Sequence, residues 1–240
     1  MDVEVSKKKT IVLKPAVSKD EIEETVEKKK TDAFGTIFTR PKQEEITISS
    51  LDLYYEPYWL VSGTYSVDYF RTNIYEINTE DTVKEVKIAD QVFPVKLESG
   101  TWGKIKRGMT GGEKNNKLEI PVEEHVIFDV EDETTLNGHG TEAKFDYTIE
   151  TRTIESYPER ILEDNKDKVR SSKINQNEII DKLVNMLQED VDKDVKMIKE
   201  KVVIDKLSEI FIPIYEARCI DSKNKVKILR IDAVKRKVIS

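Results

Sequence analysis

Cysteine is nearly absent: Cys219 stands alone, so no internal disulfide can form, and a reducing, cytoplasmic setting is the expectation. Histidine is almost as scarce. His125 and His139 supply no H-x-x-x-H, and neither C-x-x-C nor EF-hand spacing occurs, so no metal or cofactor is expected. The glycines of GKIKRGMTGGEK do not fit G-x-x-x-x-G-K-[ST], which excludes a P-loop, and no G-x-G-x-x-G or G-x-S-x-G is present. His125 shares a strand face with Ile127 and Asp129, and His139 in NGHG reads as a turn. No residue is singled out as catalytic. The longest apolar run is only a few residues, and MDVEVSKKKT lacks the apolar core of a signal peptide, so no membrane span is expected.

What is abundant is charge, 36% of residues against 38% hydrophobic. The apolar residues nevertheless fall in periodic blocks, which favours a charged globular fold over disorder. Richness in Lys, Glu, Ile and Val leans toward a heat-loving source. The net charge of -7 is unevenly laid out. Residues 118–150 are almost purely acidic, with Lys144 the single cation, and 222–240 are basic, with Asp232 the single anion. Two solvated faces that partly neutralise one another are the expectation.

Periodicity predicts an α+β fold: a mostly antiparallel β domain followed by a smaller α+β domain with a long helix and a C-terminal β-hairpin. Residues 1–42 read as an arm with one short helix, opened by a Ser18/Glu21 capping box and burying Ile22 and Val26. Residues 43–162 form the β domain. From Trp59 to Tyr69 the odd positions are aromatic or Val with a gap at Gly63, so this face is core and the gap marks a bulge or a crossing side chain. Short strands follow at TNIYEIN and VKEVKIADQVFPV, with a tight turn near Ala89, then at KLEIPVEEHVIFDVED, and KFDYTIETRTI adds one more. Residues 163–177 read as a polar linker and 178–240 as the second domain. There Asn175 and Glu178 cap a helix whose stripe of Ile179, Ile180, Leu183, Met186 and Leu187 continues through Val191, Val195, Ile198 and Val202, predicting one long helix toward Ile212, or two helices parted near EDVDKD, and a homodimer through the long helix. FIPIYEARCID and VKILRIDAVKRKVI form the closing hairpin around SKNK. Ile48, Leu51, Pro57 and Tyr58 share their spacing with Ile204, Leu207, Pro213 and Ile214, which raises a duplicated helix-to-strand unit as a question for the structure.

The run FGTIFTRPKQEEITISSLDLYYEPYWLVSGTYSVDYFR resembles a family of proteins from hyperthermophilic archaea. The likeness covers about the first third of the chain and the closing hairpin. It implies an archaeal cytoplasmic protein and transfers no activity and no site residue.

Two binding surfaces compete. Tyr54, Tyr55 and Tyr58 flank the buried alternation and are predicted anchors for a protein partner, since Tyr offers large amphipathic contact area at small entropic cost. That makes a non-enzymatic protein-binding or adaptor protein the leading reading. The alternative is RNA or a ribonucleoprotein such as the ribosome, held by Trp102 with Lys104, Lys106 and Arg107 in the loop 100–117 and by Lys225, Lys227 and Arg230 of the hairpin. An enzyme built on scattered carboxylates ranks third. Cys219 reads as a structural thiol.

Overall fold

The computed structural model describes residues 2–35, 41–80, 82–96, 116–188 and 195–239. Strands β1 (Asp2–Val5) and β2 (Lys9–Val12) precede helix α1 (Lys19–Phe34). A single 3-10 turn leads into β3 (Ile46–Thr79), followed by β4 (Glu85–Ile88), β5 (Gln91–Pro94) and β6 (Asn116–Asn137). Helices α2 (Pro158–Asp164) and α3 (Gln176–Gln188) come next, then β7 (Lys196–Asp221), β8 (Val226–Asp232) and β9 (Lys237–Val238). The fold is α+β with a large antiparallel sheet in the order β6-β3-β7-β8-β9, and β1 and β2 also pair with β7. Strands β4 and β5 form a separate hairpin around Ala89, whose φ is 52°. Among the described residues no helix is long and apolar enough to cross a membrane.

By contacts the chain forms two compact units, and neither is a single stretch of sequence. One is built from Ser66–Asp129 and Asp190–Lys201, the other from Asp2–Tyr65, Val130–Glu189 and Val202–Ser240. In the first, cross-strand side chains knit the sheet: Arg71 Nε donates to Glu124 at 2.7 Å, Lys117 pairs with Glu76, and the His125 ring meets Asp68 at 2.6 Å while stacking on Phe70.

The second unit holds both long central strands side by side. As β3 runs from Ser49 to Thr64, its hydrogen-bond partners on β7 run back from Arg218 to Asp205, so the two are antiparallel. Neighbours along a strand point to opposite faces, and both faces are used. On one face α1 buries Ile22 and Val26 against Tyr215, Ala217 and Cys219 of β7 and Leu229 and Ile231 of β8. On the opposite face Ile210, Ile212 and Ile214 pack with Leu60 beneath the segment bearing Phe145, Tyr147 and Ile149.

The stretch expected to be helical toward Ile212 is helix over Gln176–Gln188, and from Lys196 the chain is strand. The apolar residues at Val195, Ile198 and Val202 imitate a helical stripe. The β-branched run Val202, Val203, Ile204 alternates instead, with Val202 and Ile204 fully buried, and tertiary pairing with β3 decides for the strand. Of the stripe proposed for a homodimer, the part from Lys196 onward is therefore strand, while Ile179, Ile180, Leu183 and Leu187 lie on a helix and are buried within the chain. The stretch read as a free linker is tied into the sheet: Tyr55 N donates to Lys168 O at 3.0 Å, Arg170 N donates to Tyr55 O at 2.9 Å, and Ile174 is buried. Backbone bonds hold it, which a polar composition cannot reveal. Residues 144–154 form no strand: they include a turn at 150–153, and a single bridge joins Ile154 to Leu13.

The spacing shared by the two prolines proves to be the trace of a repeated plan. Both capping boxes form: Ser18 Oγ accepts from Glu21 N, and Asn175 Oδ1 accepts from Glu178 N. Val12 runs parallel to Phe211 as Val169 runs parallel to Tyr55. Ala16 N donates to Ala233 O at 2.8 Å, and Lys173 N donates to Gly138 O at 2.6 Å. After β6, Asn137 Oδ1 accepts from the amides of His139 and Thr141; after β8, Asp232 Oδ1 accepts from those of Val234 and Lys235. Each turn then folds a short segment back, Leu136 onto Glu142 and Ile231 onto Val238. The two halves therefore share one order: edge segment, capped helix, proline-bearing long strand, return strand, Asx turn. Both segments of the sequence echo are strand throughout, so the repeated unit is larger than a helix-to-strand step.

Candidate functional site

Pro57 lies within β3, where Tyr55, Pro57 and Trp59 point to the helical face, leaving Glu56 and Tyr58 on the other. That second face opens into a cleft of ≈ 580 Å³ lined by Glu56, Tyr58, Asn137, His139, Arg170, Lys173, Glu216 and Arg230, among others. Strand pairing sets Glu216 opposite Arg230. A connected ion-pair network results. Arg170 Nη2 donates to Glu216 Oε2 at 2.9 Å, Arg230 Nε lies 3.3 Å from Glu216 Oε1, and Arg230 Nη2 pairs with Glu56. The Arg170 guanidinium also lies 4.2 Å from the centroid of the Tyr54 ring, a cation–π contact.

Of the three predicted aromatic anchors, only part of the set reaches this surface. Tyr58 is half-buried and lines the cleft, its phenol pushed above the ordinary value by desolvation and then by Glu56. Tyr54 contributes through Arg170. Tyr55 is 6% exposed, packed with Val12 and Phe211, and cannot meet a partner. It continues the buried alternation through Pro57, four residues N-terminal to Trp59.

Trp102, Lys104, Lys106 and Arg107 lie outside the described residues. Lys225, just before β8, and Lys227 within it are exposed, whereas Arg230 is engaged by Glu56 and Glu216. The acidic and basic stretches do meet: Lys235 pairs with Asp146 and lies 3.7 Å from the Tyr147 ring centroid. His125 is occupied by Asp68 and Phe70, and no group of three or more His, Cys, Asp or Glu able to hold a metal occurs among the described residues. Cys219 is fully buried, and burial pushes its thiol up, as suits a packing residue.

Glu56, Arg170, Lys173 and Glu216 were not legible as site residues. Arg170 and Lys173 sit in a polar stretch with no periodicity, and they reach the cleft only because that stretch pairs with β3. The one local signal was Glu56 between Tyr55 and Pro57, a carboxylate inside an otherwise aromatic run. What the cleft offers chemically is a neutralised rim of guanidinium and carboxylate around one phenol, with each of its two carboxylates held by an arginine. Compared with known protein families, curated proteins and solved structures, the chain matches none.

Proposed function

We propose that this is a non-enzymatic recognition protein that holds a protein partner in the cleft of Tyr58, Arg170 and Arg230. The observation that carries the reading is the convergence of Tyr and Arg side chains, the types that dominate binding hot spots, on one concave surface. Both arginines are fixed in place by carboxylates before any partner arrives, so little side-chain entropy remains to be lost on binding. Catalysis by the same cleft is the weaker reading, because Glu56 and Glu216 are already engaged by guanidinium groups. The lone free cysteine supports a reducing, cytoplasmic setting as part of the proposal.

A second reading, RNA held by the closing hairpin, rests on the exposed Lys225 and Lys227. It is weakened by Arg230, whose charge is spent within the protein. The test is a tagged pull-down from lysate with and without nuclease, run beside an Arg170→Glu variant. A partner retained after nuclease and lost from the variant supports the cleft. A partner that vanishes with nuclease and survives in the variant moves the function to the hairpin.

A further inference from the structure

The repeated plan gives the cleft a counterpart whose occupant is visible. Around the relation that exchanges Tyr55 with Phe211 and Pro57 with Pro213, the cleft residues Glu56, Tyr58 and Glu216 stand where the other half has Ile212, Ile214 and Leu60. In that other half the groove is filled. Residues 145–149 cross it with Phe145, Tyr147 and Ile149 against the apolar floor. After a turn at 150–153, residues 153–155 are stitched to the outer edge of the segment at Leu13: Lys14 N donates to Thr153 O at 2.9 Å, and Glu155 N donates to Val12 O at 2.8 Å.

Val169, Arg170 and Ser171 are the equivalents of Val12, Leu13 and Lys14, and their inner edge is paired with Tyr55 in the same way. Their outer edge differs. Among the described residues nothing pairs with the Ser171 N–H or the Val169 C=O, and Ser171 lines the cleft. A donor and an acceptor thus face the groove at the spacing that captures an extended chain in the other half.

We infer that the cleft takes an extended peptide segment of a partner protein by strand addition along 169–171, reproducing the pairing that residues 153–155 make in the other half. The inference rests on the protein-recognition reading and supplies its mode. Charge specifies the peptide. Glu56 and Glu216 are neutralised by Arg170 and Arg230, while Lys173 at the rim has no carboxylate partner among the described residues, so the peptide carries an acidic side chain. Its alternate positions place an apolar or aromatic residue on Tyr58, whose ring already packs against Phe145 at a centroid distance of 6.4 Å.

The probe is a random library of twelve-residue peptides displayed on phage and panned on the full chain. Enriched peptides are then synthesised with N-methyl groups on one alternate set of amides or on the other. The expected result is an acidic consensus whose affinity falls at least about tenfold on the Lys173→Glu variant and on methylation of one alternate set, with the other set tolerated. Because Lys173 is exposed, an unchanged melting curve shows the variant to be folded. Peptides lost with Lys173→Glu but equally sensitive, or equally indifferent, to both methylated sets overturn strand addition and leave protein recognition by the cleft standing. A basic consensus, or peptides indifferent to Lys173, overturns the inference. A pull-down partner equally indifferent to Arg170→Glu takes the parent reading down as well.

Discussion

At Gly63 a hydrogen atom stands where a methyl group would meet Val203 O at 2.7 Å and Leu183 Cδ2 at 3.3 Å. The repeat puts Cys219 at the corresponding place on β7 and the smaller Val26 at the place of Leu183, both in one buried cluster. Side-chain volume has thus been exchanged between sheet and helix. Gly63→Ala is expected to cost about 1–3 kcal/mol in urea unfolding, and adding Leu183→Val should recover part of that loss. In the cleft, Arg230→Ala strands Glu56 and one oxygen of Glu216; we expect a loss of about 1–2 kcal/mol that Arg230→Lys does not fully restore, because a point charge cannot reach both carboxylates. Titration gives a further test. Burial holds the phenols of Tyr55, Tyr58, Tyr147 and Tyr215 above their ordinary value, with Asp232 adding to the effect at Tyr147. The folded protein keeps these protons where the unfolded chain releases them, so the stabilisation is complete below pH ~10 and declines as pH rises beyond it. Denaturation midpoints should fall steeply above pH ~10, with a shallower fall in Tyr147→Phe.

Among elements, the capped starts of α1 and α3 and the inner face of β3 were legible, whereas α2 gave no signal and β7 was misread. Both capping boxes were readable because each needs only two residues three apart, and both form as expected. Ser18→Ala and Asn175→Ala should each lower stability by about 1 kcal/mol, and by similar amounts, since each cap opens a helix that buries its stripe on the same sheet face in equivalent positions. The inward alternation from Trp59 to Tyr69 was equally plain, and those side chains are buried. Where sequence misled, two periods overlapped. The spacing of Val195, Ile198 and Val202 satisfies a helix, and only pairing with β3 removes the ambiguity. Segments without periodicity, such as 163–177, gave no signal because their bonds run through the backbone.

For the whole molecule, the plan of two intertwined halves was present in the sequence only as a matched interval between an apolar residue and a proline. Its stronger marks, the paired Asx turns and parallel edge segments, are hydrogen-bond patterns that different side chains satisfy, Ser for Asn in one place and Asn for Asp in another. The halves are not separable domains. Helix α1 belongs by sequence to the first half and buries its stripe on β7 and β8 of the second. Fragments cut between Glu163 and Lys168 should each lack a cooperative thermal transition alone and regain one when mixed, as followed by circular dichroism. Two independent transitions in the separated fragments would refute the intertwined plan.

The placement of α1 also sets a schedule for synthesis. Ile22 and Val26 leave the ribosome roughly 200 residues ahead of Leu229, Ile231 and Ala233, which form part of the surface that covers them. Their apolar stripe must therefore stay uncovered by these native neighbours until that stretch has been made. A helix whose other faces are densely charged, as in KDEIEETVEKKKTDAF, is suited to that wait, because it remains soluble until β8 arrives.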